Sequence, residues 1–192
     1  AQNGVWNPVA PPLARDRRVG ILGLGALGTA SAQALSTLNF NVAGWSRRPK
    51  QIEGVTCHHG DAGLRDVLAR SDILVLLLPL TSATENVLNA KMLALMPRGA
   101  ILLNPGRGPL IDADALLAAL GTGQIAQATL AVFRTEPLPA DHPYWAHPQV
   151  TVTPHIASET RPQTASTVIA QNIRRAESGQ PLLHLVDRSA GY

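Results

Sequence analysis

The sequence predicts an α/β fold in which a parallel sheet, wound in two directions, is covered by helices on both faces. From residue 18 onward, short apolar runs alternate with stretches of helical periodicity, which is typical of strands and helices in turn. The run DILVLLLP at 72–79 is continuously apolar, as expected for a central strand buried on both faces. A glycine-rich turn, GLGALG at 23–28, lies between the first such run and the first helical stretch.

The strands are predicted from apolar runs bounded by turn residues. We expect them at 19–22, 40–45, 55–58, 72–79, within 99–108, at 129–133 and at 150–153. The first helix should bury one face with helical spacing, made of Leu27, Ala30, Ala34, Leu35 and Leu38. A second helix is expected at 61–70, with Leu64, Val67 and Leu68 inward.

Three more helices are predicted from capping residues and periodicity. Ser82 and Glu85 form a capping-box pattern, so helix is expected from Ser82, with a second stretch to about residue 96. Asp112 should cap a helix that ends at the glycines 121 and 123. A last helix is expected from about Ser158, with an apolar face of Ala165, Val168, Ile169 and Ile173.

Composition narrows the class of protein. With 192 residues, 45% of them hydrophobic, the chain can bury a full-sized core. Only 15% are charged and 4% aromatic, and the net charge is +3 without a dense cationic run, which argues against disorder and against nucleic acid as a partner. A single cysteine predicts a reducing compartment, hence the cytoplasm. The longest aliphatic run, 73–78, is too short to span a membrane, and no signal segment opens the sequence.

The glycine turn has the context of a dinucleotide-binding loop, because it follows a strand and opens a helix. Gly23 should allow the tight turn, Gly25 the approach of the pyrophosphate, and Gly28 the close packing of the helix. The amides of Ala26 and Leu27 would hold the phosphates at the positive end of the helix. The sequence therefore predicts a Rossmann-type fold. The alternative is that the glycine turn serves only for packing and binds no dinucleotide.

The residues after the second strand indicate which dinucleotide binds. Ser46 follows Gly28 by 18 residues, where an acid usually accepts hydrogen bonds from the adenine ribose. Here Ser46 is followed by Arg47 and Arg48. A hydroxyl and two cations suit a ribose 2′-phosphate, so NADP(H) is expected, with NAD(H) less favoured. The alternative is that Arg47, Arg48 and Lys50 form a solvated loop.

Three polar residues are expected at the ends of the later strands, where ligands bind in open α/β sheets. Arg107 in NPGRG could grip a carboxylate with its planar fork. His155 in TPHIA could exchange a proton near neutral pH. Glu136 in RTEP could orient that imidazole, although each residue taken alone could be structural.

Other candidate sites are weaker. Cys57, His58 and His59 lie on one strand, where adjacent side chains point to opposite faces, and no second ligand cluster exists, so no metal site is predicted. Asp112 and Asp114 are better explained by helix capping and the helix dipole.

Several stretches resemble the D-isomer-specific 2-hydroxyacid dehydrogenases over nearly the whole chain. They are GILGLGALG, LLLPLTSATENVLN, MPRGAILLNPGRGPLIDADALLAAL, FRTEPLPADHPYWAHPQVTVTPHIASET and VDRSAGY. The order Arg107, Glu136, His155, with gaps of 29 and 19 residues, is more specific to that family than the glycine loop. The resemblance also places residues 79–81 (Pro79, Leu80 and Thr81) and 104–106 (Asn104, Pro105 and Gly106) along the cofactor cleft.

The resemblance implies a reaction. NAD(P)H would pass a hydride to the keto carbon of a short 2-oxo acid, of the glyoxylate or hydroxypyruvate type. His155 would donate a proton to the carbonyl oxygen, supported by Glu136, while Arg107 binds the substrate's carboxylate and carbonyl. The family commonly forms homodimers, so a dimer is expected.

Two departures from the family pattern qualify this expectation. Family members usually have an aspartate near the nicotinamide carboxamide, in LDVF, whereas this sequence has LAVF with Ala131. The family's chain is also longer, so residues 1–17 are expected to be an interdomain linker, 18–158 the cofactor domain, and 159–192 a segment returning to a substrate domain whose N-terminal part is absent. The exposed apolar run PLLHLV fits such a segment. These departures favour a second hypothesis, a non-catalytic dinucleotide-binding module or cofactor sensor.

Overall fold

The computed structural model describes residue 8 and residues 10–186, which contain a seven-stranded sheet. Its strands are β1 Arg18–Leu22, β2 Asn41–Ser46, β3 Thr56–His59, β4 Ile73–Leu76, β5 Ala100–Asn104, β6 Ile125–Leu130 and β7 Val150–Val152. The α-helices are α1 Ala26–Thr37, α2 Gly60–Arg70, α3 Ala90–Leu93, α4 Ala113–Gly121 and α5 Pro162–Glu177. Three single-turn 3₁₀ helices occur at Ala14–Asp16, Gly108–Leu110 and Pro143–Trp145.

The strand order is β3-β2-β1-β4-β5-β6-β7, and all six neighbouring pairs are parallel. The chain therefore starts at β1 in the interior of the sheet, builds outward through β2 and β3, and then crosses back to β4 on the other side of β1. This reversal makes the gap between β1 and β4 the topological switch point, where ligands bind in such sheets. The predicted doubly wound α/β fold is confirmed.

Two apolar cores lie on opposite faces of the sheet. Successive side chains of a strand point to opposite faces, so a strand buried on both sides contributes to both cores. One face carries Val19, Ile21 and Val42 against Ala32 of α1. The other carries alternate residues of the same and neighbouring strands and packs against α2, α3 and α4. Helices thus cover both faces, and all parallel strands end at one common edge.

The predicted apolar face of α1 is wrong. Leu27 is 58% exposed and Leu38 is 62% exposed, whereas Gly28 and Ala32 are buried. A Cβ on Gly28 would lie 1.8 Å from the carbonyl oxygen of Gly23. Because the helix approaches the glycine turn so closely, small residues face the sheet at its start, and of the three predicted leucines only Leu35 packs against the core.

The predicted helix from Ser82 is also wrong. Residues 82–86 form turns, and α3 begins only at Ala90, with Asn89 as its cap. The Thr84 hydroxyl donates to the Pro79 carbonyl at 2.7 Å, and Asn86 has φ +49°, which no right-handed helix contains. Local side-chain hydrogen bonds thus replace the helical pattern.

Strand β6 and helix α5 begin at other residues than predicted. Strand β6 runs from Ile125 to Leu130, whereas the prediction was 129–133. The first part of the strand was missed because Ala126 and Gln127 are exposed and interrupt the apolar run. Helix α5 begins at Pro162 and not near Ser158, since Arg161 before the proline is extended. Its predicted apolar face exists but is unburied, with Ile169 60% and Ile173 55% exposed.

Candidate active site

The predicted site residues lie after the carboxyl ends of the parallel strands. Gly23 follows β1, Ser46 ends β2, and the segments that contain Pro79, Asn104 and Glu136 follow or end β4, β5 and β6. The parallel register places these ends at one edge of the sheet. The topology therefore brings together segments that are more than a hundred residues apart in sequence.

The three glycines of the turn have three different surroundings. Gly23 has φ +106°, and a Cβ there would lie 2.5 Å from the Leu77 carbonyl oxygen of the neighbouring segment. Gly28 abuts the Gly23 carbonyl, as described above. A Cβ on Gly25 would meet no atom within 4 Å. Two glycines are thus required by packing, while the third opens the backbone to whatever lies outside the loop.

The start of α1 is suited to an anion. Its N-cap, Gly25, supplies no side-chain hydrogen bond, and the first turn contains no acidic residue. The first-turn amides of a helix have no intrahelical acceptor. The amides of Ala26 and Leu27 therefore point toward the open space beside Gly25, at the positive end of the helix dipole, where phosphate groups bind.

The loop after β2 folds back over the glycine turn. The Ser46 hydroxyl donates to the Arg48 carbonyl at 2.8 Å, which tightens the turn, and Arg47 and Arg48 are exposed. The Lys50 ammonium donates to the Leu24 carbonyl within the glycine turn. Sequence reasoning treated Lys50 only as part of a solvated loop; the structure brings its charge to the dinucleotide-type turn. The sequence signal that could have indicated this contact is that Lys50 is the third cation in the run SRRPK.

The segment after β4 is held by threonine hydroxyls. Thr84 accepts a hydrogen bond from the Thr81 amide at 2.8 Å and donates to the Pro79 carbonyl. Leu80, between them, is 39% exposed. Residues 79–81 are thus held in place after β4, and they directly follow Leu77 and Leu78, which lie against Gly23.

Asn104 shapes the turn that carries Arg107. Its side chain is 1% exposed, its Oδ1 accepts from the Gly106 amide at 3.2 Å, and its Nδ2 donates to the Arg107 carbonyl at 2.9 Å. Pro105 lies inside this turn, and Arg107 Nη1 donates to the Gly106 carbonyl at 2.7 Å. Arg107 is exposed at the strand edge.

A glycine brings this turn against the segment after β6. A Cβ on Gly108 would lie 2.0 Å from the Phe133 carbonyl carbon. Since atoms that are not bonded to each other cannot approach so closely, the backbone at 133–134 can lie next to Arg107 only because residue 108 is glycine. No local pattern in the sequence predicts this close contact.

Glu136 and His155 form a hydrogen-bonded pair. His155 Nδ1 lies 2.7 Å from Glu136 Oε2, and the other carboxylate oxygen, Oε1, accepts from the Phe133 amide at 2.8 Å. These bonds lower the pKa of Glu136, first through His155 and next through the Phe133 amide, with a smaller contribution from the positive charge of Arg107. With Nδ1 engaged by a carboxylate, Nε2 is the ring atom available to a substrate.

Comparison with known proteins identifies this arrangement. The profile of the family described as "D-isomer specific 2-hydroxyacid dehydrogenase, NAD binding domain" matches residues 1–157. The chain belongs to this family. The resemblance expected from the sequence is thereby confirmed.

Several 2-hydroxyacid dehydrogenases are similar over the whole chain. Glyoxylate/hydroxypyruvate reductase A of Serratia proteamaculans (strain 568) is 46% identical over 191 residues, covering 100% of this chain and 61% of the relative. A D-isomer specific 2-hydroxyacid dehydrogenase from Xanthobacter autotrophicus Py2, solved in complex with NADPH and MES, has a TM-score of 0.96 at 51% identity and covers 100% of this chain and 79% of that chain.

A further solved relative is the NADPH-dependent glyoxylate/hydroxypyruvate reductase from Sinorhizobium meliloti, in complex with NADP and sulfate. Its TM-score is 0.95 at 39% identity, with 100% of this chain and 62% of that chain covered. The chain thus spans about three fifths of the length of the curated relatives that it matches, 61% in the case of the Serratia protein.

Ala131 marks where this 2-hydroxyacid dehydrogenase domain departs from the expected aspartate. It is 5% exposed, and its amide donates to the Asn104 carbonyl at 3.1 Å. The position therefore lies directly after β6, beside the end of β5 and between the Arg107 turn and the Glu136 segment. A methyl group there accepts no hydrogen bond.

Within residue 8 and residues 10–186, no group of three or more His, Cys, Asp or Glu side chains is arranged to hold a metal ion. No helix in the same residues is long and apolar enough to cross a membrane.

Proposed function

We propose that this domain binds NADPH and that the whole protein reduces a short 2-oxo acid to the D-2-hydroxy acid. The observation that carries the proposal is the 2.7 Å pair of His155 and Glu136, at the same strand edge as the glycine turn and Arg107. A proton donor, a carboxylate-binding cation and a dinucleotide loop are the parts that this reaction requires.

The glycine turn fits the pyrophosphate of a dinucleotide. Gly25 leaves open space, and the uncapped start of α1 presents the amides of Ala26 and Leu27. When bound, the nicotinamide cofactor supplies the hydride. Pro79, Leu80, Thr81, Asn104, Pro105 and Gly106 are proposed to line its cleft.

The loop after β2 favours NADP(H) over NAD(H). No carboxylate occupies the position of Ser46, and Arg47, Arg48 and Lys50 concentrate positive charge beside the turn. Each charged hydrogen bond to a 2′-phosphate contributes roughly 1.5–3 kcal/mol. The Xanthobacter and Sinorhizobium relatives were solved with NADPH and NADP, which supports the same assignment.

The proton and the carboxylate of the substrate are assigned to separate side chains. Glu136 holds Nδ1 of His155 and orients the ring, so that Nε2 is placed to donate a proton to the substrate's carbonyl oxygen. Arg107 is proposed to bind the carboxylate of the 2-oxo acid and to polarise its carbonyl. The names of the Serratia and Sinorhizobium relatives support glyoxylate or hydroxypyruvate as substrates.

We also propose the domain division and assembly. Residues 1–17 serve as a linker, 18–158 as the cofactor domain, and 159–192 return to a substrate domain. The unburied apolar face of α5 supports the last assignment, although residues 187–192 lie outside the described residues. A homodimer located in the cytoplasm is proposed with it.

A non-catalytic dinucleotide sensor is a second candidate, favoured by Ala131. Its methyl group replaces an acceptor near the expected nicotinamide position, which weakens orientation of the reacting ring. The sensor hypothesis predicts NADPH binding without turnover, whereas the enzyme hypothesis predicts both.

The deciding experiment uses the whole protein. NADPH oxidation is followed with glyoxylate and with hydroxypyruvate, and the product's configuration is determined. His155→Gln should abolish turnover and leave NADPH affinity unchanged, while His147→Gln, at the opposite end of β7, should change neither. Tight NADPH binding by the unmodified protein with no turnover of either acid would reject the enzyme hypothesis.

A further inference from the structure

Arg134 connects two segments of the candidate site. Its Nη1 lies 2.9 Å from Glu85 Oε1 and its Nη2 lies 2.8 Å from Asn86 Oδ1. The two acceptors belong to the loop after β4, about fifty residues away in sequence. Two parallel bonds from a planar guanidinium to consecutive residues fix the orientation of one segment relative to the other.

The loop contacted by Arg134 is itself anchored. The Asn86 amide donates to the Pro109 carbonyl at 2.8 Å, directly after the turn of Arg107, and the Glu85 amide donates to the Thr81 carbonyl at 3.0 Å. Arg134 therefore grips a segment that is already fixed to two other parts of the strand edge. The loop acts as a rigid support rather than as a second mobile partner.

On its other side, Arg134 adjoins the residue that binds Glu136. The Phe133 amide donates to Glu136 Oε1, while Oε2 of the same carboxylate contacts His155. Any shift of the backbone at 133–134 thus moves a direct partner of Glu136. Gly108 packs against the same backbone but cannot hold it by a hydrogen-bonding side chain.

A role in stability alone explains this arrangement poorly. The side chains of Arg134 and Glu85 are each 50% exposed. Ion pairs with such exposure contribute little to the free energy of unfolding, because water and salt screen them. The two bonds can nevertheless restrain the 133–136 segment, because a local rearrangement of a loop costs far less free energy than global unfolding.

We propose that Arg134 is a positioning residue, which holds the 133–136 segment so that Glu136 meets His155. This inference rests on the proposed function for its catalytic meaning, but the positioning itself concerns only this chain's own contacts. Substrate and cofactor are not required to touch Arg134. Cofactor affinity should depend on it weakly, since Thr84 holds residues 79–81 independently.

The test on this chain is NMR of the His155 imidazole. The Nδ1 proton shared with Glu136 is assigned by its loss in His155→Gln. In Arg134→Met we expect that proton to shift upfield and to exchange with water several-fold faster. Arg98→Met is the matched control: it removes an arginine bonded to the Thr122 carbonyl at the opposite edge of the sheet and should leave the signal unchanged.

A second pair of variants tests the same contact from the other partner. Glu85→Met removes the acceptor and should reproduce the effect of Arg134→Met, whereas Glu85→Gln keeps an oxygen at that place and should retain most of the parent signal. A His155 signal identical to the parent in both Arg134→Met and Glu85→Met overturns the proposal.

Activity of the whole protein separates positioning from catalysis. Arg134→Met should lower kcat roughly tenfold with little change in KM for NADPH, because a misplaced general acid loses part of its rate contribution. A perturbed His155 signal with unchanged kcat would support the positioning and reject the catalytic role given to the Glu136–His155 pair.

Discussion

His155 Nδ1 and Glu136 Oε2 lie 2.7 Å apart, although 19 residues separate them in the chain. The pair forms because β6 and β7 are neighbours and parallel, so the segments that follow them leave the same edge. A hydrogen bond from an imidazole to a carboxylate fixes the ring's tautomer and leaves the opposite nitrogen for chemistry. The first prediction concerns the charge on this carboxylate.

Glu136→Gln should reduce the acid sensitivity of the fold. The pKa of Glu136 lies below its ordinary value of 4.5, mainly through its bond to His155. A depressed carboxyl pKa contributes stability that is present above the unfolded-state pKa and is lost as pH falls through the folded-state pKa. The thermal midpoint of the parent should therefore fall more steeply than that of Glu136→Gln between about pH 5 and pH 3.

Glu177→Gln, at the exposed end of α5, is the control for this comparison. Its thermal midpoint should follow the parent through the acid range. Parallel curves for the parent and Glu136→Gln would mean that the carboxylate is not bonded to His155 in solution.

Two glycines of the turn should give opposite phenotypes when each is replaced by alanine. Gly25→Ala should fold with the parent's thermal midpoint, since its Cβ meets no atom within 4 Å and its φ is −72°. It should nevertheless weaken dinucleotide binding, because the added methyl occupies the space left for the pyrophosphate. Gly23→Ala, with φ +106°, should lower the thermal midpoint with or without cofactor.

Differential scanning fluorimetry with and without NADPH measures both effects. Gly25→Ala should lose the cofactor-induced rise in midpoint but not the midpoint itself. A full NADPH-induced rise in Gly25→Ala would contradict the placement of the pyrophosphate beside this residue.

Arg47→Ala should change the choice of cofactor. If Arg47 contacts the 2′-phosphate, its loss should weaken NADPH binding by roughly ten- to a hundredfold, the value of one charged hydrogen bond, and leave NADH binding nearly unchanged. Fluorescence titrations with both cofactors give the ratio. Arg98→Ala should alter neither affinity. An equal loss of affinity for both cofactors in Arg47→Ala would show that Arg47 does not recognise the 2′-phosphate.

The sequence predicted those features that depend on local pattern and strand order. The fold, the glycine turn and the grouping of Arg107, Glu136 and His155 at one edge follow from apolar runs and from the rule that parallel strands end together. The face of α1 could not be predicted, because it depends on the approach of Gly28 to the Gly23 carbonyl. The contact of Arg134 with Glu85 could not be predicted either. It depends on the loop that contains Glu85, which has a helical sequence pattern but is held in turns by hydrogen bonds such as that of Thr84.

Ala131→Asp should restore an acceptor directly after β6, at the carboxyl edge of the sheet. We expect tighter nicotinamide binding and faster turnover of the whole protein, since the new carboxylate could accept a hydrogen bond from the carboxamide. The position is 5% exposed, so an unpaired carboxylate there costs stability in the absence of cofactor. The thermal midpoint should consequently fall without NADPH and recover when NADPH is added.

Ala131→Asn is the matched variant, because its amide offers an acceptor without a charge. It should improve nicotinamide binding with a smaller loss of stability in the cofactor-free state. If neither variant changes cofactor affinity or turnover, residue 131 does not reach the nicotinamide. Weak turnover of the parent protein would then need a cause other than the missing acceptor.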